Sequence, residues 1–145
     1  MTISASLIAL AMSGCTVIIS TGIFADVSTT HGVQIVAAVA SHGTTLDTVT
    51  ARVTNTGDRA VFVPRCGTGP LLLTQQFVNG KWIDVANAAC PAGDALSPIT
   101  LDPGLTLVAV KVFTESGRFR LVTTVAETED FSSSARSTSN SFSLP

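Results

Sequence analysis

Two of the three cysteines in this sequence could form a covalent bond with each other. Cys66 and Cys90 lie in the middle of the chain, and neither has a second cysteine or a histidine close enough in sequence to complete a zinc site. In an exported protein, two such cysteines usually form a disulfide. The loop-entropy model gives a Cys66–Cys90 bridge a stabilising effect of about 3 kcal/mol. The alternative is a pair of buried free thiols.

The third cysteine, Cys15, ends an uncharged apolar segment. The small residues directly before it, Ala11-Met12-Ser13-Gly14, resemble the lipobox of bacterial lipoproteins. The resemblance implies that the chain is cut before Cys15 and that Cys15 then carries a lipid. Residues 1–25 are therefore interpreted as an apolar leader, and the remaining chain is expected to be tethered to a membrane outside the cytoplasm.

Other interpretations of this leader stay open. Ile3–Phe24 approaches the length of about 20 apolar residues that a membrane-spanning helix needs, so the segment could be a signal anchor. An ordinary secretory signal cut after Ala25 is a second alternative. Val17–Phe24 stays apolar beyond the cysteine, so it could also be a first strand, or a strand that adds to a neighbouring subunit.

The remaining chemically active residue types do not form a catalytic pattern. The two histidines, His31 and His42, would lie about 36 Å apart in an extended chain and are not expected to share a metal ion. No Gly-x-Ser-x-Gly motif occurs, and the densest carboxylate group, Glu127-x-Glu129-Asp130, is interpreted as a solvated loop. We therefore expect no catalytic residue, no metal site and no cofactor, and predict that the protein is not an enzyme.

The distribution of charged residues argues against nucleic-acid binding. The chain has 8 Lys+Arg against 10 Asp+Glu, and its formal net charge is −2. The basic residues do not cluster along the sequence, whereas a nucleic-acid-binding surface needs a basic stripe. We therefore expect no nucleic-acid partner.

The pattern along residues 30–145 is typical of short strands separated by turns. Apolar residues alternate with polar ones in two places in particular, at Val49, Ala51 and Val53 and again from Phe119 to Val125. Asn79-Gly80 predicts a tight hairpin, and Asp102-Pro103-Gly104 predicts a type II turn. The predicted strands are Val33–Ala40, Leu46–Thr54, Arg59–Val63, Leu71–Val78, Lys81–Val85, Leu105–Phe113, Arg118–Ala126 and Ser137–Leu144. This pattern predicts one all-β domain, an antiparallel β-sandwich of about seven to eight strands, with the single tryptophan, Trp82, as an anchor in or near its core.

Three motifs together resemble a known kind of domain. They are Val53–Gly57 followed by Ala60–Val63, then Asn79–Trp82, and finally Leu101–Gly104 followed by Gly117–Leu121. Their order is similar to that of bacterial exported Ig-like domains and, more distantly, of the BsuPI-type proteinase inhibitors. The resemblance implies an Ig-like sandwich. If the chain were an inhibitor, Cys66–Pro70 and Asn87–Pro98 would be the candidate inhibitory loops.

These observations lead to three functional hypotheses. The first is a non-enzymatic module of the bacterial cell envelope or surface, tethered through Cys15, that acts through protein–protein contacts. The second is a self-assembling structural subunit that adds its N-terminal strand to a like subunit. The third is a proteinase-inhibitor-like binding domain. In each case the expected partner is a protein, with a membrane contacted through the lipid or the apolar N-terminus.

Overall fold

The computed structural model describes residues 29–85, 90 and 97–145, so the predictions for Cys15 and the rest of residues 1–25 lie outside the described residues. The described residues form strands and turns, and none of their segments is a helix long and apolar enough to cross a membrane. The strands are β1 (Val33–His42), β2 (Asp47–Asn55), β3 (Val61–Val63), β4 (Arg65–Cys66), β5 (Gly69–Pro70), β6 (Leu73–Val78), β7 (Lys81–Asp84), β8 (Ile99–Leu101), β9 (Thr106–Phe113), β10 (Gly117–Ala126), β11 (Ser134–Thr138) and β12 (Phe142–Leu144).

The strands form two main antiparallel sheets that share one core. The first sheet has the order β1-β2-β9, and the second has the order β7-β6-β10-β3-β8, with β11 and β12 also paired to β10. Strands β4 and β5 form a separate small hairpin. The buried apolar cluster draws on both sheets, and it includes Val33, Ile35, Val49, Ala51 and Val53 from the first and Val63, Phe119, Leu121, Val125, Phe142 and Leu144 from the second. The arrangement is therefore all-β and sandwich-like.

For β2 and β10, the alternation of apolar residues in the sequence correctly predicts which face of the strand is buried. Val49, Ala51 and Val53 of β2 are fully buried, as are the alternate residues of β10 from Phe119 to Val125. Each large apolar side chain that is buried in this way contributes about 1.5–3 kcal/mol relative to an exposed one. The two-residue period is what keeps one face of each strand in the core.

Both predicted turns are confirmed. Asn79 and Gly80 have φ angles of 49° and 79°, the positive values that a type I′ hairpin between β6 and β7 requires. Gly104 has a φ angle of 80°, and the amide of Leu105 donates to the carbonyl of Asp102 at 3.0 Å. This geometry agrees with the predicted type II turn.

The structure also corrects the number of strands and some of their bounds. The sequence pattern missed β4, β5 and β8, which have only two or three residues each. The predicted last strand begins earlier, at Ser134, and is interrupted between Thr138 and Phe142. The interruption has a role, because it places the side chain of Asn140 between the two sheets.

Asn140 joins the sheets through its side-chain amide. Its Oδ1 accepts a hydrogen bond from the amide of Ala37 at 2.8 Å, and its Nδ2 donates to the carbonyl of the same residue at 2.8 Å. Asn140 therefore acts as a strand partner for one residue of β1, which lies at the edge of the first sheet. Ser137 adds a second link, from its Oγ to the carbonyl of Val33 at 3.1 Å.

We expect Asn140→Ala to lower the free energy of unfolding by about 2–3 kcal/mol, because both backbone groups of Ala37 would lose a buried partner. Urea denaturation measures this change. The control is Ser141→Ala, which removes the half-buried hydroxyl that accepts two exposed hydrogen bonds from Arg118 and is expected to change the free energy by less than about 1 kcal/mol. Equal effects of the two substitutions would contradict the role assigned to Asn140.

Candidate binding face

The outer face of the second sheet carries an exposed group of arginines and aromatic side chains. The strand register places Trp82 of β7 opposite Phe77 of β6, and Gln75 of β6 opposite Arg120 of β10. Because side chains alternate along a strand, Phe77, Trp82 and Arg120 project from the same side of the sheet. We call this surface the arginine–aromatic face, and its members are Gln75, Phe77, Trp82, Asp84, Arg118, Arg120 and Arg136.

The two rings of this face are in contact at an interplanar angle of 56°, and the two guanidinium groups lie over them; these four side chains are called the stack. The ring centroids of Phe77 and Trp82 lie 5.1 Å apart, and the guanidinium carbon of Arg120 lies 4.4 Å from the Trp82 ring. The guanidinium carbon of Arg118 lies 5.3 Å from the ring centroid of Phe77 and 5.6 Å from that of Trp82. At exposed sites each cation–π contact contributes about 0.5–1 kcal/mol. The stack therefore gives these long side chains a defined position.

The prediction that Trp82 is an anchor in or near the core is wrong. Trp82 is half-buried on the outer face, and it does not belong to the buried apolar cluster. The reason is the hairpin register, which pairs Trp82 with Phe77 and turns both rings away from the core. The Asn79-Gly80 turn fixes this register, so the sequence did contain the signal that the two rings are partners.

A polar network continues the stack across the sheet. Arg120 Nε donates to Gln75 Oε1 at 2.7 Å, and Gln75 Nε2 donates to Asp84 Oδ1 at 2.7 Å. Arg136 of β11 approaches the Asp84 carboxylate at 3.5 Å from the other side. The hydrogen bond from Gln75 is the main cause that lowers the pKa of Asp84, and the arginines lower it further. Asp84 is therefore ionised at neutral pH.

The two histidines lie at opposite ends of β1, with His31 just before the strand and His42 as its last residue. His31 Nδ1 lies 3.1 Å from Glu127 Oε1, and His42 Nδ1 lies 3.0 Å from Asp47 Oδ1. Among the residues that the structure describes, no three His, Cys, Asp or Glu side chains are grouped as metal ligands would be. Each histidine has one carboxylate neighbour on the surface.

The acidic loop between β10 and β11 is exposed, and Asp130 is held there by its neighbours. Thr128 Oγ1 donates to Asp130 Oδ1 at 2.6 Å, and the amide of Ser132 donates to the same oxygen at 3.0 Å. The hydrogen bond from Thr128 is the first cause that lowers the pKa of Asp130 to about 2, and those from Ser132 come next.

We expect an NMR titration of Asp130 to show a midpoint at about 2. Thr128→Val, which removes the hydroxyl donor, is expected to raise that pKa. Because the pKa is lower in the folded chain than in the unfolded chain, Asp130 favours folding above a pH of about 4. This contribution is lost as the pH falls from about 4 through about 2. A wild-type midpoint close to that of an unstructured peptide would contradict the assigned hydrogen bonds.

The two central cysteines form a disulfide at a third place on the molecule. Cys66 of β4 is bonded to Cys90, and their Cα atoms lie 5.5 Å apart. Beside Cys66 lies a groove of about 540 Å³ whose lining includes Leu72, Lys111 and Phe113. Lys111 Nζ donates to the carbonyl of Leu72 at 2.6 Å, and burial lowers the pKa of Lys111.

The two candidate inhibitory loops differ in how far the structure describes them. Cys66–Pro70 includes β4 and β5 and forms a short hairpin, whereas of Asn87–Pro98 only residues 90, 97 and 98 are described. The sequence had not identified the arginine–aromatic face, because its members come from four separate strands.

The comparisons with known proteins leave the family open. No protein-family model matches the chain, and no curated protein matches it. Among solved structures, the chain is similar to the X-ray structure of Northeast Structural Genomics Consortium target SoR45, with 14% sequence identity and a TM-score of 0.39. That match covers 78% of this chain and 86% of the other.

Proposed function

We propose that the protein is an exported, non-enzymatic module with an Ig-like β-sandwich, tethered through a lipid on Cys15, that binds a protein partner through the arginine–aromatic face. The observation that carries this proposal is the position of Trp82 and Phe77 on the outside of the sheet, in contact with Arg118 and Arg120. Tryptophan and arginine are the residue types most enriched among the energetically dominant residues of protein interfaces.

The ordering of the face supports a binding role. Immobilising a long side chain on binding costs about 0.5–1.5 kcal/mol. Arg120 is already held by the ring of Trp82 and by Gln75, and Arg118 by the two rings and by Ser141. A partner would therefore meet side chains that have lost much of their freedom in the folded monomer.

The location in the proposal rests on two features of the chain. The residues before Cys15 resemble a lipobox, and disulfides such as Cys66–Cys90 persist mainly in oxidising compartments. Mass spectrometry of the protein extracted from membranes tests the tether. We expect a chain that begins at a lipid-modified Cys15, and an unmodified chain that still begins with Met1 would contradict it.

A self-assembling subunit is the second candidate, because of the outer face of β9. Val108, Val110 and Val112 form an apolar row there with exposures of 53%, 63% and 59%. The ammonium of Lys111 faces the other way, and inward-facing charges on an edge strand oppose the addition of another strand. Assembly would therefore use the valine row and not the strand edge. Sedimentation velocity of the full chain tests this candidate, since a monomer at all concentrations would contradict it.

Photo-crosslinking in the native organism tests the binding role. A photoreactive residue in place of Ser143, which is exposed and lies opposite Arg118 in the strand pairing, should form an adduct with the partner. Trp82→Ala should reduce the adduct by about tenfold, the loss expected from truncating a dominant interface residue. Leu46→Ala, which alters an exposed apolar residue at the end of the other sheet, is the control and should leave the adduct unchanged. Failure to form an adduct, or equal loss in the two variants, would contradict the role of this face.

A further inference from the structure

We propose that the arginine–aromatic face binds an extended acidic segment of the partner protein, with carboxylates at alternate positions. This inference rests on the proposed function and names the chemistry of the partner. It follows from the charge of the face, from the spacing of two arginines and from the position of their guanidinium groups over the two rings.

The face is positively charged in a chain that is negative as a whole. Of the 8 Lys+Arg residues in a chain of net charge −2, the three arginines Arg118, Arg120 and Arg136 lie on this face. Its carboxylate, Asp84, lies beside Arg136, accepts a hydrogen bond from Gln75 and also interacts electrostatically with Arg120. Three arginines against one carboxylate leave the face with a net positive charge, which favours an anionic partner.

The spacing of Arg118 and Arg120 matches an extended chain. The two residues occupy alternate positions of β10, so their Cα atoms are separated by about 6.6 Å along the strand. Alternate side chains of any extended segment have the same separation. A segment with the pattern Glu-x-Glu can therefore present one carboxylate to each arginine.

The two rings hold the guanidinium groups in place for this contact. In a guanidinium group the N–H donors lie in the plane of the group, where they match the two oxygens of a carboxylate. The edge of each group faces its hydrogen-bond partners, which include Ser141 Oγ for Arg118 and Gln75 Oε1 for Arg120. A carboxylate would exchange with these neutral acceptors, because hydrogen bonds between charged groups are about twice as strong as neutral ones. The rings also provide apolar contact for the aliphatic part of a glutamate side chain, since Phe77 is 36% exposed. The stack therefore combines apolar contact with carboxylate recognition.

Peptide binding to the full chain in detergent tests this inference. The probe is a fluorescein-labelled peptide of alternating Glu and Ser, and the matched control is a peptide of the same composition with its glutamates in one block. We expect a dissociation constant below about 1 mM for the alternating peptide, and binding at least several-fold weaker for the block peptide. Raising the salt concentration should weaken both, because screening reduces the attraction between exposed charges.

Matched variants assign the binding to the two arginines. Arg118→Gln combined with Arg120→Gln should weaken binding of the alternating peptide by about tenfold or more. Arg52→Gln removes one positive charge from the outer face of the first sheet and should have no effect. Thermal unfolding of each variant shows whether the fold is retained. If the double variant fails to fold, Arg120→Lys replaces it, because lysine keeps the charge but lacks the planar donor group.

Several results would overturn the inference. They are failure of the alternating peptide to bind, equal affinities for the two peptides, and equal affinities of the wild-type chain and the double variant. Arginine-dependent binding of heparin, of a DNA oligonucleotide or of vesicles with anionic lipid, without peptide binding, would assign the face to another class of ligand. A crosslinked adduct at Ser143 that depends on Trp82 but not on the arginines would overturn the acidic segment and leave the proposed function standing.

Discussion

Replacing Asn55 with alanine is expected to lower the free energy of unfolding by about 4 kcal/mol. Asn55 is the last residue of β2 and is fully buried. Its Nδ2 donates to the carbonyls of Arg59 at 2.7 Å and Leu101 at 2.8 Å, and its Oδ1 accepts from the amide of Gly57 at 2.9 Å. One side chain thus joins the end of β2, the turn that follows it and the end of β8.

The size of this effect follows from the groups left behind. Alanine would leave two carbonyls and one amide without their partner at a closed site, and each such loss costs about 1–3 kcal/mol. Water entering the space would satisfy part of this loss, which is why we expect less than the full sum. Urea denaturation followed by fluorescence of Trp82 measures the change.

Two further variants separate the hydrogen bonds of Asn55 from a general effect of substitution. Asn55→Asp keeps the acceptor for Gly57 but places a carboxylate against the carbonyl of Leu101, so it should destabilise the fold at least as much as alanine. Thr54→Ala removes an exposed hydroxyl bonded to Thr106 and should change the free energy by less than about 1 kcal/mol. An Asn55→Ala variant within about 1 kcal/mol of the wild type would contradict the assigned role.

Asn55 also shows how much of this fold could be predicted from the sequence. The stretch from Asn55 to Asp58 is typical of a turn, and the bond from the amide of Gly57 to the Asn55 side chain is the local contact that makes asparagine favourable there. A tight turn here would predict that Arg59–Val63 returns beside β2, which is wrong, because β3 pairs with β8 and β10. The bond to Leu101 joins residues far apart in the chain, and no local pattern contains it. Local turn chemistry was therefore predictable, and the buried polar link to β8 was not.

Strand β9 shows why alternation alone does not assign the buried face. Between Thr106 and Phe113 most residues on both faces of the strand are apolar. The sequence therefore does not show which of the two faces is buried. In the structure Leu107, Ala109 and Lys111 face inward and three valines face outward. The pairing of β9 with β2 decides this, because Ala109 lies opposite the buried Ala51.

The arginine–aromatic face could be predicted only in part for a related reason. The pair of Phe77 and Trp82 follows from the Asn79-Gly80 hairpin, which is local. The placement of Arg120 beside Trp82 depends on β10 pairing with β6, more than 40 positions away in sequence. The sequence therefore indicated one side of the face, and the tertiary pairing supplied the arginines.

Loss of the disulfide is expected to lower the free energy of unfolding by about 3 kcal/mol. Cys66 and Cys90 close a loop of sequence separation 24, and the bond restricts the unfolded chain over that length. The double variant Cys66→Ala, Cys90→Ala, compared with the wild type by urea denaturation, measures this contribution. Reduction of the wild-type protein with dithiothreitol should give the same change, because it breaks the same bond without changing the carbon skeleton.

Binding measurements on the double variant separate this effect from that of the face. Cys66 lies in the β4–β5 hairpin, and none of the described contacts of the arginine–aromatic face involves either cysteine. At a temperature where the variant remains folded, its affinity for the alternating acidic peptide should equal that of the wild type. A double variant as stable as the wild type would show that the bond restricts little of the unfolded chain. A folded double variant with weakened peptide binding would show instead that the disulfide positions the face.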